Sequence, residues 1–217
     1  NRANMPLLRP PMRPVERKLF TRNLSNILFI GLFVSILYFT LIFLAVNFAG
    51  LSVIDLTKDN PLVNNGESIF KGIISNIGIF LWILSFSLNL HAYVSNKKYI
   101  KIFLIGAIYS AFLLINDLLD FQNDFQNVVY FLLMSSSLFV FFYSRKFSII
   151  KNKLIILFVS FLFFSVAMLI DIFQKKINVL IPYLYTTTVE ELFEFLGCFY
   201  HLFYWFEVFR KIYRLEK

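Results

Sequence analysis

Residues 24–50 read LSNILFIGLFVSILYFTLIFLAVNFAG, without a single Asp, Glu, Lys or Arg. A helix needs about 20 mostly apolar residues to cross a hydrocarbon core about 30 Å thick, and this run is long enough. Membrane-spanning strands alternate apolar and polar positions in shorter segments. Ile27-Leu28-Phe29-Ile30 here, and Leu138-Phe139-Val140-Phe141-Phe142 further on, do not alternate. The run therefore reads as a transmembrane helix. It follows a basic arm and is longer than the apolar region of a cleavable signal peptide, so it is expected to stay in place as a signal anchor.

Five more segments approach the same standard, at 69–95, 99–121, 127–144, 153–173 and 182–209. The expected fold is an all-α integral membrane protein, a bundle of six transmembrane helices. A basic, Pro-rich arm occupies 1–23, the six-helix domain 24–209, and a basic tail 210–217. The connections are short and polar, and none has room for a separate folded domain. No internal repeat, Walker loop or dinucleotide-binding loop is present.

Composition agrees with this. Of 217 residues, 59% are hydrophobic and 16% charged, whereas soluble domains are nearer half apolar and a quarter charged. That excludes an ordinary soluble enzyme and a disordered tail. Cys198 is the only cysteine, so no intrachain disulfide or cysteine cage for a metal can form. The net charge of +8 does not indicate a nucleic-acid surface, because the basic residues are scattered between apolar runs rather than gathered on one face.

Their distribution sets the expected orientation. Lys and Arg accumulate on the cytoplasmic side of membrane proteins. With six spans, the arm (Arg2, Arg9, Arg13, Arg17, Lys18, Arg22), the second connection (Lys97, Lys98, Lys101), the fourth (Arg145, Lys146, Lys151, Lys153) and the tail (Arg210, Lys211, Arg214, Lys217) all fall on one side. Only Lys58, Lys71, Lys175 and Lys176 fall on the other. Both termini are expected in the cytoplasm, in an inner or other energy-coupling membrane of bacterial type. The stretch Arg9-Pro10-Pro11-Met12-Arg13-Pro14 favours an extended course and serves as a topology signal with some attraction to lipid headgroups.

The acids take the opposite side. Apart from Glu16, Glu207 and Glu216, every Asp and Glu maps to the non-cytoplasmic half. Asp117, Asp120 and Asp124 follow one another at i, i+3 and i+7 at the end of the third span and would share a helix face. Asp124 reads as decoration of a wet helix end. Asp171, near the end of the fifth span, precedes Lys175 and Lys176, with which it could form a local ion pair. In the sixth span Thr187, Glu190, Glu194, Gly197, His201 and Tyr204 fall in one stripe at about 100° per residue, with Glu191 to one side. Ionisable residues at membrane depth usually face the bundle interior and mark candidate functional sites. Hydrogen bonding to neighbouring helices is the competing, purely structural account.

Other chemistries fit less well. Carboxylate-bridged diiron bundles use Glu-x-x-His pairs on two helices, and no such pair occurs here. The Glu190-Glu191 pair resembles that of intramembrane prenyl-protein proteases, but Phe195 stands where their motif has a basic residue, and the family is not carried over. His91 and His201 are the only histidines. Ligation of haem or pigment between the second and sixth spans would need both, or His201 alone; nothing in the sequence requires a cofactor.

The leading expectation is a multi-pass protein with an acidic cavity on the non-cytoplasmic side, binding or transporting protons or cations. Glu190 and Asp117 would capture the ion, Glu194 would pass it inward and His201 would relay it, with Asp120, Asp171 and Glu191 around them. The alternative is a non-catalytic subunit or assembly factor of a larger membrane complex, associated with other subunits, a second copy or pigment. An integral-membrane enzyme acting on lipids comes third. The lipid bilayer is the one partner common to all three.

Overall fold

The computed structural model describes residues 14–50, 56, 73–96, 98–119, 126–144, 153–177, 179 and 183–216. Among these all regular structure is helical, in six long helices: α1 Pro14–Ala49, α2 Ile73–Ser95, α3 Ile100–Leu119, α4 Gln126–Ser144, α5 Leu154–Ile177 and α6 Tyr183–Glu216.

Two helices run past the limits expected from hydropathy. α1 begins at Pro14, ten residues before the apolar run, and α6 continues to Glu216 through the basic tail. Hydropathy marks where lipid stops, whereas backbone hydrogen bonding continues through Glu16, Arg17 and Lys18, or through Arg210 and Lys211, since straight-chain charged residues are good helix formers. Pro14 suits a first helical position because its missing N–H is not needed there. The proline-rich stretch before it lies outside the described residues.

Contacts along the helices give their directions. On α5 and α6, Lys153 meets Glu207, Ser160 meets Gly197 and Gln174 meets Glu190, so these helices are antiparallel. On α2 and α6, Trp82 lies by His201 and His91 by Phe209, so these run parallel. Ser85 meets Ser110, Tyr109 meets Ser137, and Phe141 meets Phe161. Tyr200 reaches the carbonyl of Ile27, and Tyr38 that of Thr188. Thus α1 and α5 run against α6 and α2 runs with it, and the start of α1 lies at the same end as the last turns of α6. Asn96 makes the tightest reversal. Its N–H donates to the Ala92 carbonyl at 3.0 Å, closing α2, and its side-chain oxygen accepts from the Tyr99 N–H at 2.8 Å, capping α3.

α6 is the hub, packed most extensively on α5 and also on α2 and α1. Tyr200, Tyr204, Trp205, Val208 and Ile212 lose nearly all their exposure there. The outer helices show the reverse pattern. On α1, Leu28, Phe29, Leu32, Phe33, Ile36, Leu37, Phe43 and Phe48 are exposed, and α2, α4 and α5 carry similar apolar faces. A soluble monomer rarely exposes such a contiguous apolar surface. Among the described residues three helices are long and apolar enough to cross a membrane, at Ser25–Phe48, Asn76–Ser95 and Leu154–Gln174, while Ile100–Ile115 is apolar but shorter. These features point to a membrane protein. α6 falls short of the apolar standard because it carries Glu190, Glu191, Glu194, His201 and Glu207, and it is the helix that the others enclose.

Candidate functional site

The face of α5 that meets α6 is set by helical spacing: Ser160, Phe164, Ala167, Asp171 and Gln174 recur every three or four residues. Opposite them on α6 stand Thr187, Glu190, Glu194 and Gly197 at the same spacing. The polar stripe expected on the sixth helix is thus turned toward a neighbouring helix, and it divides into three levels.

At the outer level, the Gln174 side-chain N–H₂ donates to Thr187 Oγ1 at 3.4 Å and to Glu190 Oε2 at 3.3 Å. The carboxylates of Asp171 and Glu194 lie close enough to Glu190 for their charges to interact with it. Glu191 and Glu194 are similarly near Tyr38 of α1, whose hydroxyl makes a long 3.5 Å bond to the Thr188 carbonyl. Asp171, Glu190, Glu191 and Glu194 are all partly exposed. The structure therefore gathers four of the expected residues at the α5–α6 end and adds Gln174, an amide among the acids that the sequence reading missed. The side chain of Asp117, near the end of α3, is not among those described, and Asp120 and Asp124 lie outside the described residues.

The middle level is closed. A side chain at Gly197 would put its Cβ 2.7 Å from the Phe164 ring, so glycine is what lets that ring lie against α6. Phe164 is stacked on Trp82 of α2, centroids 5.5 Å apart and planes 20° apart. Ser160 Oγ donates to the Gly197 carbonyl at 2.8 Å. This aromatic layer separates Glu194 from His201, seven residues and about 10 Å further along the helix.

At the inner level His201 is wholly buried. Its Nε2 lies 3.0 Å from Trp205 Nε1 and 3.1 Å from Ser110 Oγ, which in turn lies 3.0 Å from Ser85 Oγ. An indole N–H only donates, so Nε2 is its acceptor and the neutral ring carries its proton on Nδ1. Nδ1 has no hydrogen-bond partner, and neither does Asn89 Oδ1, although Asn89 Nδ2 donates to the Ser85 carbonyl at 2.9 Å. Trp82 and Tyr109 set their rings edge-on to the imidazole, with centroids 5.1 and 5.3 Å away. Gly106 of α3 admits this arrangement, because a Cβ there would come within 2.6 Å of the Trp205 ring. Ser85, Ser110, Trp82 and Trp205 were not singled out from sequence. Only Trp205 carried a signal, standing four residues after His201 on the same helix face.

The histidines do not form a pair. His91 is exposed on α2, its ring centroid 6.1 Å from that of Phe209. Phe209 stands eight residues after His201, about 12 Å along the axis, too far for both imidazoles to ligate one iron. Nor do any three His, Cys, Asp or Glu side chains among the described residues converge as they would around a metal ion.

The end of α6 carries ion pairs. Glu207 meets Lys153, just ahead of α5, and, at 2.7 Å, Arg210. Its carboxylate is largely buried and serves both cations.

Comparison with known proteins adds a family. No curated protein and no solved structure matches the chain. A match covers residues 27–209, which runs from Ile27 of α1 to Phe209 beside His91, leaving out the first turns of α1 and the last of α6. Over that helical bundle, the chain belongs to the family described as Domain of unknown function (DUF8692).

Proposed function

We propose that this is a six-span membrane protein with both termini in the cytoplasm, and that the outward end of α5 and α6 binds a proton or small cation. The observation that carries this reading is the partly buried Glu190 carboxylate, held by the Gln174 amide and within charge reach of the Asp171 and Glu194 carboxylates. Carboxylates take up protons and attract small cations, and because no three of them among the described residues converge as the ligands of a metal ion would, the proton is the better fit; ionisable groups kept at membrane depth mark ion pathways. The antiparallel packing of α1 and α5 on α6 and the clustering of Lys153, Glu207 and Arg210 at the opposite end support the orientation. Lys and Arg mark the cytoplasmic side.

The Phe164–Gly197 layer favours binding over open conduction in this conformation. Passage inward to His201 requires Phe164 to swing away from α6. The reading is tested in liposomes by following pH and Na⁺ across the membrane. Wild type should load protons or Na⁺ in response to a gradient, and Glu190→Gln and Glu194→Gln should lower the rate at least tenfold. Equal rates in all three proteins, or no flux and no cation binding by wild type, would remove the proposal.

A second reading, a non-catalytic subunit or assembly factor, is favoured by one observation. α1 uses few positions to contact the bundle and leaves a long apolar face open. A partner helix on that face would appear as a stable heteromer in mild detergent.

A further inference from the structure

Between α2 and α6 runs a groove of about 350 Å³, lined by Leu84, Leu88, Phe199, Leu202, Phe203 and Phe206. Its lining is carbon throughout. Both walls continue past it along the same helix faces: His91 follows Leu84 and Leu88 at i+7 and i+3, and Arg210 follows Phe206 at i+4. His91 and Arg210 are exposed. An apolar trough thus ends at a polar, cationic mouth.

We propose that this groove holds one acyl chain of an anionic phospholipid, with the phosphate at the His91–Arg210 end. The proposal rests on the membrane reading above but not on the cation site. Three features select this occupant. Eleven residues separate Phe199 from Arg210, about 16 Å of helix, which matches one leaflet of a hydrocarbon core about 30 Å thick. The mouth keeps a positive excess, because the single Glu207 carboxylate is shared by Lys153 and Arg210 and Arg214 is exposed one turn further on. Basic pockets between helices on the cytoplasmic side bind anionic headgroups. A partner helix is a poorer fit, since close helix packing in membranes uses Gly, Ala and Ser, and this groove is walled by Leu and Phe.

The experiment is native mass spectrometry of protein released from nanodiscs containing phosphatidylcholine and phosphatidylglycerol in equal amounts. Wild type should retain one phosphatidylglycerol about tenfold more often than phosphatidylcholine. His91→Gln and Arg210→Gln should each reduce that preference severalfold while the protein stays folded by circular dichroism. Leu84→Trp with Leu88→Trp should fill the trough and abolish retention of both lipids. Equal retention of the two lipids by wild type, an undiminished preference in His91→Gln, or a polypeptide occupying the groove until Leu84→Trp expels it would each overturn the proposal. Cation flux and Glu190→Gln are read separately, so failure here leaves that proposal standing and the reverse.

Discussion

Residues 187–194 and residues 197–205 are consecutive pieces of one helix, and each turns ionisable groups toward its neighbours. Yet they sit in unlike surroundings. The first piece leaves Glu190, Glu191 and Glu194 partly exposed and gives Glu190 the Gln174 amide. The second buries His201 completely, with its Nε2 acceptor already used by Trp205. Between them Phe164 lies against Gly197. A polar side chain in a membrane bundle can be kept for its reactivity or for its hydrogen bonds. Exposure distinguishes the two better than residue type does.

Substitutions can break this contrast, beginning with the largest effects. Trp205→Ala should destabilise the bundle by about 3–5 kcal/mol, the usual cost of deleting a large buried aromatic side chain, read as a fall in the unfolding midpoint in mild detergent. Gly197→Ala places a methyl group against Phe164 and should cost about 1–3 kcal/mol, as overpacking does, in the same assay. His201→Phe leaves the buried Trp205 N–H without its acceptor and should cost about 1–3 kcal/mol. If instead it leaves stability intact and abolishes flux, the inner level belongs to the pathway. Lys153→Met removes one of two partners of Glu207 and should cost about 1 kcal/mol, between the values for exposed and buried pairs. Glu190→Gln should change stability by no more than about 0.5 kcal/mol while losing cation handling, and that dissociation of effects would sharpen the comparison most.

Much of this was visible in the sequence, for definite reasons. The apolar runs locate the helices because lipid burial needs length and hydropathy, both of which are local. The stripe from Thr187 to Tyr204 is visible because helical spacing is local too. What the stripe faces is not local. Nothing around residue 164 says that its ring will lie on Gly197 and cut the stripe in two, since that depends on how α5 docks. The same holds for Ser110, which is brought to His201 from α3, and for His91, which the sequence offered as a partner of His201 and which α2 instead sets beside Phe209. The helices run on to Pro14 and Glu216, beyond the apolar runs, because helix propensity does not stop where hydropathy does.

The most direct test of the contrast is cysteine accessibility along α6, in a Cys198→Ala background, using a membrane-impermeant thiol reagent added to the non-cytoplasmic side. Thr187→Cys, Glu190→Cys and Glu194→Cys are expected to label rapidly, and His201→Cys and Tyr204→Cys to remain unlabelled until the protein is unfolded. Labelling of Glu190→Cys only from the cytoplasmic side, or equal labelling of His201→Cys and Glu190→Cys, would contradict the account.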